Sequence, residues 1–351
     1  MRKQRAAIGR RHERAYSRRV PRSIATPPPS EPPRSATGAV SLVRSSTGTR
    51  MTAQIDLLGG GLRALVADDV PLVETYADGA AAPFAAGAVL FPWPNRVRGG
   101  RWVHRGAEQQ LFIDDVEHGN ANHGLVRDKC FTVIDQGADH VTIRGSVADE
   151  PGYPFSVALQ ITYRLTDGGI TVDSLVSNGS AEPAPVALGA HPYVRIGEVP
   201  VEDLMLRVPA DAYLPVDERL IPGAPVGVDG TALDWRTARR IGDAELNTCF
   251  ALTEGAGRTP RTVAVAAPDG RVLDVWLDHD FGYAQIYTCP AYPDPSATRR
   301  ALAVEPMSAP GDALNSGTGL RWLAPGDEWR LAWGITATWL PTSIVAGEPG
   351  S

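Results

Sequence analysis

The sequence predicts an all-β protein, a large antiparallel sandwich, on three observations. Several segments alternate apolar and polar residues with period two, the pattern of half-buried strands. Gly 36 and Pro 30 among 351 residues cut the chain into many short elements. No long run shows a 3.6 period and no helix-length segment has clear caps. The absence of any 20–50-residue repeat excludes a propeller or solenoid.

The elements follow in chain order. Residues 1–50 are basic, then Pro-rich (Thr26-Pro27-Pro28-Pro29-Ser30-Glu31-Pro32-Pro33), and lack core-forming periodicity. They are expected to form a disordered extension outside the folded domain. Met51 stands just upstream of the strand-like Ile55-Asp56-Leu57-Leu58 and is a candidate biological start, which leaves 51–345 as the domain. Gly59-Gly60-Gly61 reads as a turn or bulge, because no helix pattern follows it. Phe155, Val157, Leu159, Ile161, Tyr163 and Leu165 alternate with polar or small residues, and Asp167-Gly168-Gly169 returns the chain through Ile170–Val176. A second hairpin joins 262–267 to 271–277 through Pro268-Asp269-Gly270. Its return strand is apolar on both faces (Val272 and Trp276; Leu273, Val275 and Leu277), which predicts burial between layers. Leu331, Trp333, Ile335, Ala337 and Trp339 form a last alternating strand.

Charge narrows the partners. Residues 1–50 hold twelve Arg or Lys against two Glu, so the remaining 301 residues carry −16 within a total of −6. An acidic body repels phosphate backbones, and no nucleic acid is expected on the folded domain. No stretch of about 20 apolar residues spans a membrane. Cys130, Cys249 and Cys289 are odd in number and widely spaced, which fits a reducing, cytoplasmic setting better than a disulfide framework or a metal site.

Several catalytic signatures are missing: GxxxxGK[ST], GxGxxG, HExxH, CxxC and GxSxG. Asp278-His279-Asp280 has no specific ligand spacing and reads as a strand end. What remains is a set of polar residues in stiff, apolar contexts. Asn95-Arg96 follows Phe91-Pro92-Trp93-Pro94, where two prolines fix the backbone. His123 precedes Gly124. His191 ends the apolar run Ala187-Leu188-Gly189-Ala190, and Glu305 ends Leu302-Ala303-Val304. A carboxylate leaving the core can have its pKa raised into the range of a useful base, and two histidines and an arginine supply proton donors and hydroxyl-recognising forks.

These stretches resemble the aldose 1-epimerase (galactose mutarotase) family, in its bacterial form with a Pro-Trp-Pro-Asn-Arg signature. The match runs in order through Phe91–Arg96, Gly99-Gly100-Arg101-Trp102, His123–Arg127, Gly152-Tyr153-Pro154-Phe155, Gly189–Tyr193, Ala303–Met307, Leu323-Ala324-Pro325-Gly326 and Trp333-Gly334-Ile335. The resemblance implies a β-supersandwich with the sugar in an open cleft. It implies Glu305 as general base, His191 as general acid, and Asn95, Arg96, His123, Tyr193 and Asn247 as substrate contacts. It further implies a small-molecule sugar as partner, no cofactor or metal, and a monomer or weak dimer. The family usually has an aspartate in an Asp-x-x-Phe stretch where this chain reads Asn247-Thr248-Cys249-Phe250, so sugar preference is expected to differ; Asp243 is an alternative acceptor. Trp93 is a candidate either for the core or for covering the apolar side of a sugar.

Three other functions are weighed beside anomer interconversion. A hexose-6-phosphate 1-epimerase would need an arginine fork, for which Arg96, Arg98, Arg101 and Arg127 are available. A non-catalytic sugar-binding protein would not need both Glu305 and His191. A glycosidase would need two carboxylates at strand ends, and only one is evident.

Overall fold

The long alternating segment becomes the strand Val157–Thr166, which buries Val157, Leu159, Ile161, Tyr163 and Leu165. Asp167 and Gly168 form a two-residue turn into Gly169–Asn178, with Thr166 paired to Gly169. In the computed structural model, which describes residues 38–46, 49–253, 259–294 and 298–339, these two strands lie inside a nine-stranded antiparallel sheet. Its order is Thr132–Gln136, His140–Val147, Val157–Thr166, Gly169–Asn178, Glu328–Trp339, Arg271–Leu277, Arg261–Ala266, Met205–Arg207 and Arg239–Arg240.

A second sheet of eight strands carries the motif-bearing segments. Its order is Val226–Gly227, Ala210–Leu214, Asn247–Leu252, Tyr283–Pro293, Thr298–Met307, Gly189–Ala190 and Val89–Leu90; Tyr193–Val194 also pairs with Thr298–Met307. A third sheet contains Ala39–Ser46, Thr49–Asp56, Leu62–Ala67 and Val70–Pro71. One apolar cluster joins all three: Ile161, Val275 and Trp333 from the first, Phe250, Ile286, Leu302 and Val304 from the second, Leu42, Met51 and Ile55 from the third. The only α-helix among the described residues is the single turn Ala313–Ser316. No helix among them is long and apolar enough to cross a membrane.

Two sequence expectations need correction. The boundary at residue 50 is too late: Ala39–Ser46 pairs along its whole length with Thr49–Asp56, and Val40 and Leu42 are buried. Met51 is fully buried in the middle of that hairpin, and the chain divides between residues 36 and 37 instead. The strand is short and its outward residues (Ser41, Val43, Ser45) are mostly small and polar, so it has little apolar periodicity to read. Residues 1–37 lie outside the described residues. The second correction concerns Arg271–Leu277. Leu273, Val275 and Leu277 are buried in the core, but Val272 and Trp276 are only half-buried. The Trp276 ring instead covers Gly334 on the neighbouring strand, where a Cβ would approach it to 2.5 Å. Apolar residues on both faces therefore do not mean that both faces are layered over.

Candidate active site

Period two on the strand Thr298–Met307 decides where its side chains go. Leu302 and Val304 join the core, so Ala303 and Glu305 must face the other side of the sheet. Pairing then sets the neighbours of Glu305. Gln285 is its partner on one side, and Cys249 lies opposite Gln285. On the other side Gly189 faces Met307 and Tyr193 faces Ala303, so His191 falls level with Glu305. Cys249, Gln285, Glu305 and His191 thus form one transverse row. The next row on the same face is Asn247, Tyr287, Ala303 and Tyr193.

His191 is held on both backbone sides. Its N–H donates to the Ala88 carbonyl at 3.0 Å, and its own carbonyl accepts from Gly87 N–H at 2.9 Å. Gly87 is required there: a Cβ would sit 2.1 Å from the Leu62 carbonyl oxygen. The other two motifs meet backbone to backbone. Leu125 N–H donates to the Phe91 carbonyl at 2.7 Å and His123 N–H to the Asn95 carbonyl at 2.9 Å. Gly124 allows this approach, since a Cβ would lie 2.2 Å from the Phe91 oxygen. This packing brings Asn95-Arg96 and His123 together although 28 residues separate Asn95 from His123.

A cavity of about 390 Å³ opens over the two rows and is lined by Asn95, Arg96, His123, His191, Tyr193, Asn247 and Glu305, every site residue expected from the sequence. Among the described residues nine non-glycine residues have positive φ; five of them (Phe84, Ala85, Asn95, His123 and Leu220) line this one cavity. Such backbone conformations persist only where the surroundings over-determine them, and they gather at functional sites.

His191 Nε2 lies 3.4 Å from Glu305 Oε1, and both side chains are buried. Burial pushes the Glu305 carboxyl up to about 8, against the pull of the nearby Arg96 charge. Burial also pushes His191 down to about 4. Both shifts favour the uncharged forms, so the pair carries one proton between its two members around neutral pH. His191 Nδ1 and Glu305 Oε2 are buried without a protein partner, so each has capacity left. The His123 ring meets the His191 ring edge-on at 5.4 Å between centroids, and burial followed by the His191, Arg127 and Arg96 charges holds it well below its usual pKa. The Asn95 N–H donates to His123 Nδ1 at 3.2 Å. Neutral His123 then carries its proton on Nε2 and is a donor. Arg96 Nε donates to Asp115 Oδ2 at 2.7 Å, and His118 Nδ1 lies 2.9 Å from Asp115 Oδ1. Burial would raise Asp115, but those two bonds hold it below the usual carboxylate range. Arg96 is thereby fixed as a positioned donor.

Donor atoms of His123, His191 and Glu305 lie within 4.8 Å of one another, a two-histidine, one-carboxylate set. The His123 tautomer does not suit a metal. Nδ1 has its lone pair engaged by Asn95 N–H, and Nε2 holds the proton, so binding through either nitrogen would break that bond or leave two N–H groups facing each other.

Trp93 is buried against Tyr153, which assigns it to the core. Asp243 is exposed and does not line the cavity, and Asp278 accepts from Ala332 N–H on the nine-stranded sheet. The four arginines do not converge on a phosphate fork. Arg96 and Arg127 line the cavity, whereas Arg98 and Arg101 line a separate concavity of about 920 Å³. There Arg98 is tied to Asp217 at 2.8 Å and Arg101 to Gln110 at 3.0 Å. Sequence reasoning missed Gln285, Asp115, His118, Phe84 and Leu220. Gln285 becomes visible only through strand register; its Nε2 donates to Asn247 Oδ1 at 2.7 Å. Asp115 and His118 stood in the acidic stretch 114–118, where no motif marked them.

Comparison with known proteins gives concordant matches. The family model described as aldose 1-epimerase matches residues 41–336. The uncharacterized protein YihR of Escherichia coli is 30% identical over 284 residues, covering 81% of this chain and 89% of that protein. Human galactose mutarotase is 34% identical over 206 residues, 54% of this chain and 58% of that one. Among solved structures, a GalM/aldose epimerase homologue from C. elegans has a TM-score of 0.74 at 18% identity, covering 87% of this chain and all of that one. A galactose 1-epimerase from Lactobacillus acidophilus has a TM-score of 0.68 at 20% identity, covering 86% and 99%.

Proposed function

The chain belongs to the aldose 1-epimerase family, and on that premise we propose that it interconverts the α and β anomers of a free aldose at the cavity over Glu305 and His191. The carrying observation is the level pairing of these two side chains, 3.4 Å apart and both buried. Ring opening removes the proton of the anomeric hydroxyl and adds one to the ring oxygen. The C1–O5 bond breaks and an aldehyde forms; rotation about C1–C2 and the reverse transfer give the other anomer. Both oxygens are bonded to C1, so an acid and a base side by side can serve them from one side of the sugar. Their 3.4 Å separation leaves no room for a sugar ring between them, so both groups act from one side of C1.

Glu305 as carboxylate is the base and His191 as imidazolium the acid, and the two exchange roles on closure. The active form is the pair with one proton, whichever partner holds it at rest. The nearby Arg96 charge favours the carboxylate, and the hydroxyls of a bound sugar add polarity beside it. In this reading His123 Nε2–H and the Arg96 guanidinium donate to sugar oxygens. Asn247 has its oxygen committed to Gln285, so it presents its amide N–H groups to the cavity.

Two measurements test this reading. Polarimetry across glucose, galactose, other aldoses and glucose 6-phosphate, corrected for spontaneous mutarotation, is expected to show acceleration with neutral aldoses. No acceleration with any aldose would refute it. The pH profile gives a second check. Activity requires one proton on the pair, so it rises as His191 loses its second proton, near pH 4, and falls as Glu305 is deprotonated, near pH 8. A solvated pair would titrate near its ordinary values of 4.5 and 6.5, giving a plateau of only about two pH units. That narrow plateau would show that burial does not hold the pair apart.

Asn247→Asp replaces an N–H donor by an acceptor at one wall. The ratio of rates between aldoses is expected to change about tenfold while the best rate changes little. An unaltered sugar profile would place Asn247 outside the substrate contacts.

A further inference from the structure

The polar groups of the cavity account for hydroxyls, but a pyranose also has faces of C–H bonds that need an apolar counterpart. Trp93, one candidate for that role, is in the core. Two other side chains meet the requirement. Phe84 lines the cavity and is half exposed, at 50%, with its ring 6.5 Å from that of Tyr292. Leu220 lines it near Asn95, Arg96, Asn247 and Gln285.

Both sit in left-handed backbone, Phe84 at φ 48° and Leu220 at φ 57°. A bulky residue is disfavoured there, and Gly or Asn would be the ordinary occupant. In each case the surroundings enforce the conformation. Phe84 is followed by a second left-handed residue, Ala85, and its carbonyl accepts from Tyr193 O–H at 3.3 Å. Leu220 lies in a loop closed on itself, with Gly223 N–H on the Pro215 carbonyl at 2.7 Å and Ile221 N–H on Asp217 Oδ1 at 3.0 Å. Arg219 then anchors that loop across the cavity rim, with Nε on the His118 carbonyl at 2.9 Å and Nη2 on the Gly119 carbonyl. Asn120 Nδ2 returns a bond to the Arg219 carbonyl at 2.8 Å. A strained backbone, clamped from outside and carrying a large apolar side chain into a polar cavity, is an arrangement that folding alone does not require.

We propose that Phe84 and Leu220 are specificity-determining residues that form the apolar walls of the sugar site, receiving the C–H faces of the aldose ring. The inference rests on the anomerase reading for its substrate class. Since the walls contact bonds that do not change in the reaction, they bind ground state and transition state alike.

The test uses the full chain with Phe84→Ala and Leu220→Ala, and Phe112→Ala as control, because Phe112 is 77% exposed and lines no part of the cavity. Initial-rate polarimetry gives kcat and KM; calorimetric titration with the same aldose gives affinity independently of turnover. Each wall variant is expected to raise KM and Kd about five- to twentyfold, as for exposing one apolar contact surface, with kcat and the pH profile unchanged. Leu220→Gly is expected to weaken binding equally without lowering Tm, since glycine relieves the left-handed strain; a merely structural Leu220 would instead lose Tm. Turnover with unchanged KM and Kd in both wall variants would overturn the inference and leave the anomerase reading standing. Sugar binding without catalysis, weakened in the wall variants, would overturn the anomerase reading and leave the inference standing. Neither binding nor catalysis by the unaltered protein would overturn both.

Discussion

Glu305→Gln is expected to lower kcat by about 10²–10⁴-fold, the range for removing a general acid–base group, while sugar affinity survives. Glutamine keeps the shape of the carboxyl but cannot exchange a proton with the anomeric oxygens. His191→Asn is expected to give a similar loss. The double variant should be little worse than either single one, since the two groups carry one proton between them and act as a unit. Near-normal turnover in Glu305→Gln would remove Glu305 from the chemistry. The same substitution has a second consequence of opposite sign. Below about pH 4.5 the carboxyl is protonated in both folded and unfolded chains. As pH rises toward 8 the unfolded chain loses its proton first, so the folded protein loses stability over that window. Glu305→Gln is free of this penalty. It is expected to be more stable than the unaltered protein by on the order of 4 kcal/mol at pH 8 and by almost nothing at pH 4. Urea unfolding at the two pH values measures the difference. An equal effect at both would mean that the carboxyl is not desolvated as its burial implies.

A chain starting at Met51 is expected to be strongly destabilised. It lacks Ala39–Ser46 and the first two residues of Thr49–Asp56. Removing buried Val40 and Leu42 forfeits about 3–6 kcal/mol of apolar burial. The new α-amino group falls at a fully buried position, and the strand from residue 51 becomes an unpaired edge open to aggregation. The anchors of the lost strand, Val43 N–H on the Ala138 carbonyl at 2.8 Å and Arg44 on Asp139 and Asp167, disappear with it. A chain starting at Gly38 keeps the whole hairpin and serves as the comparison. Equal Tm values for the two would show that the first strand adds nothing to the fold.

Much of this could be read from the order of residues alone, and the boundary is physical. Strand formation is local: period two at 155–166, 169–178 and 330–339 reports which side chains face oil and which face water, and the turn residues Asp167-Gly168 and Asp269-Gly270 report where the chain reverses. The candidate pair was legible only from the motifs taken together and in order, since each is weak alone. Glu305 was expected where a strand leaves the core, whereas it lies within Thr298–Met307 and pairs with Gln285. Other features required the fold. Gln285 gained its place between Cys249 and Glu305 from register, a relation between strands distant in sequence. Phe84 and Leu220 are ordinary apolar residues in sequence, and only a backbone held left-handed by distant partners turns them into the cavity. Trp93 was open to two roles in the sequence, core or sugar platform, and burial against Tyr153 decided for the core. The residue types set the chemistry available to this protein. The tertiary structure decided which protons are held and which are given up, because desolvation depends on what packs around a side chain and not on what precedes it in the chain.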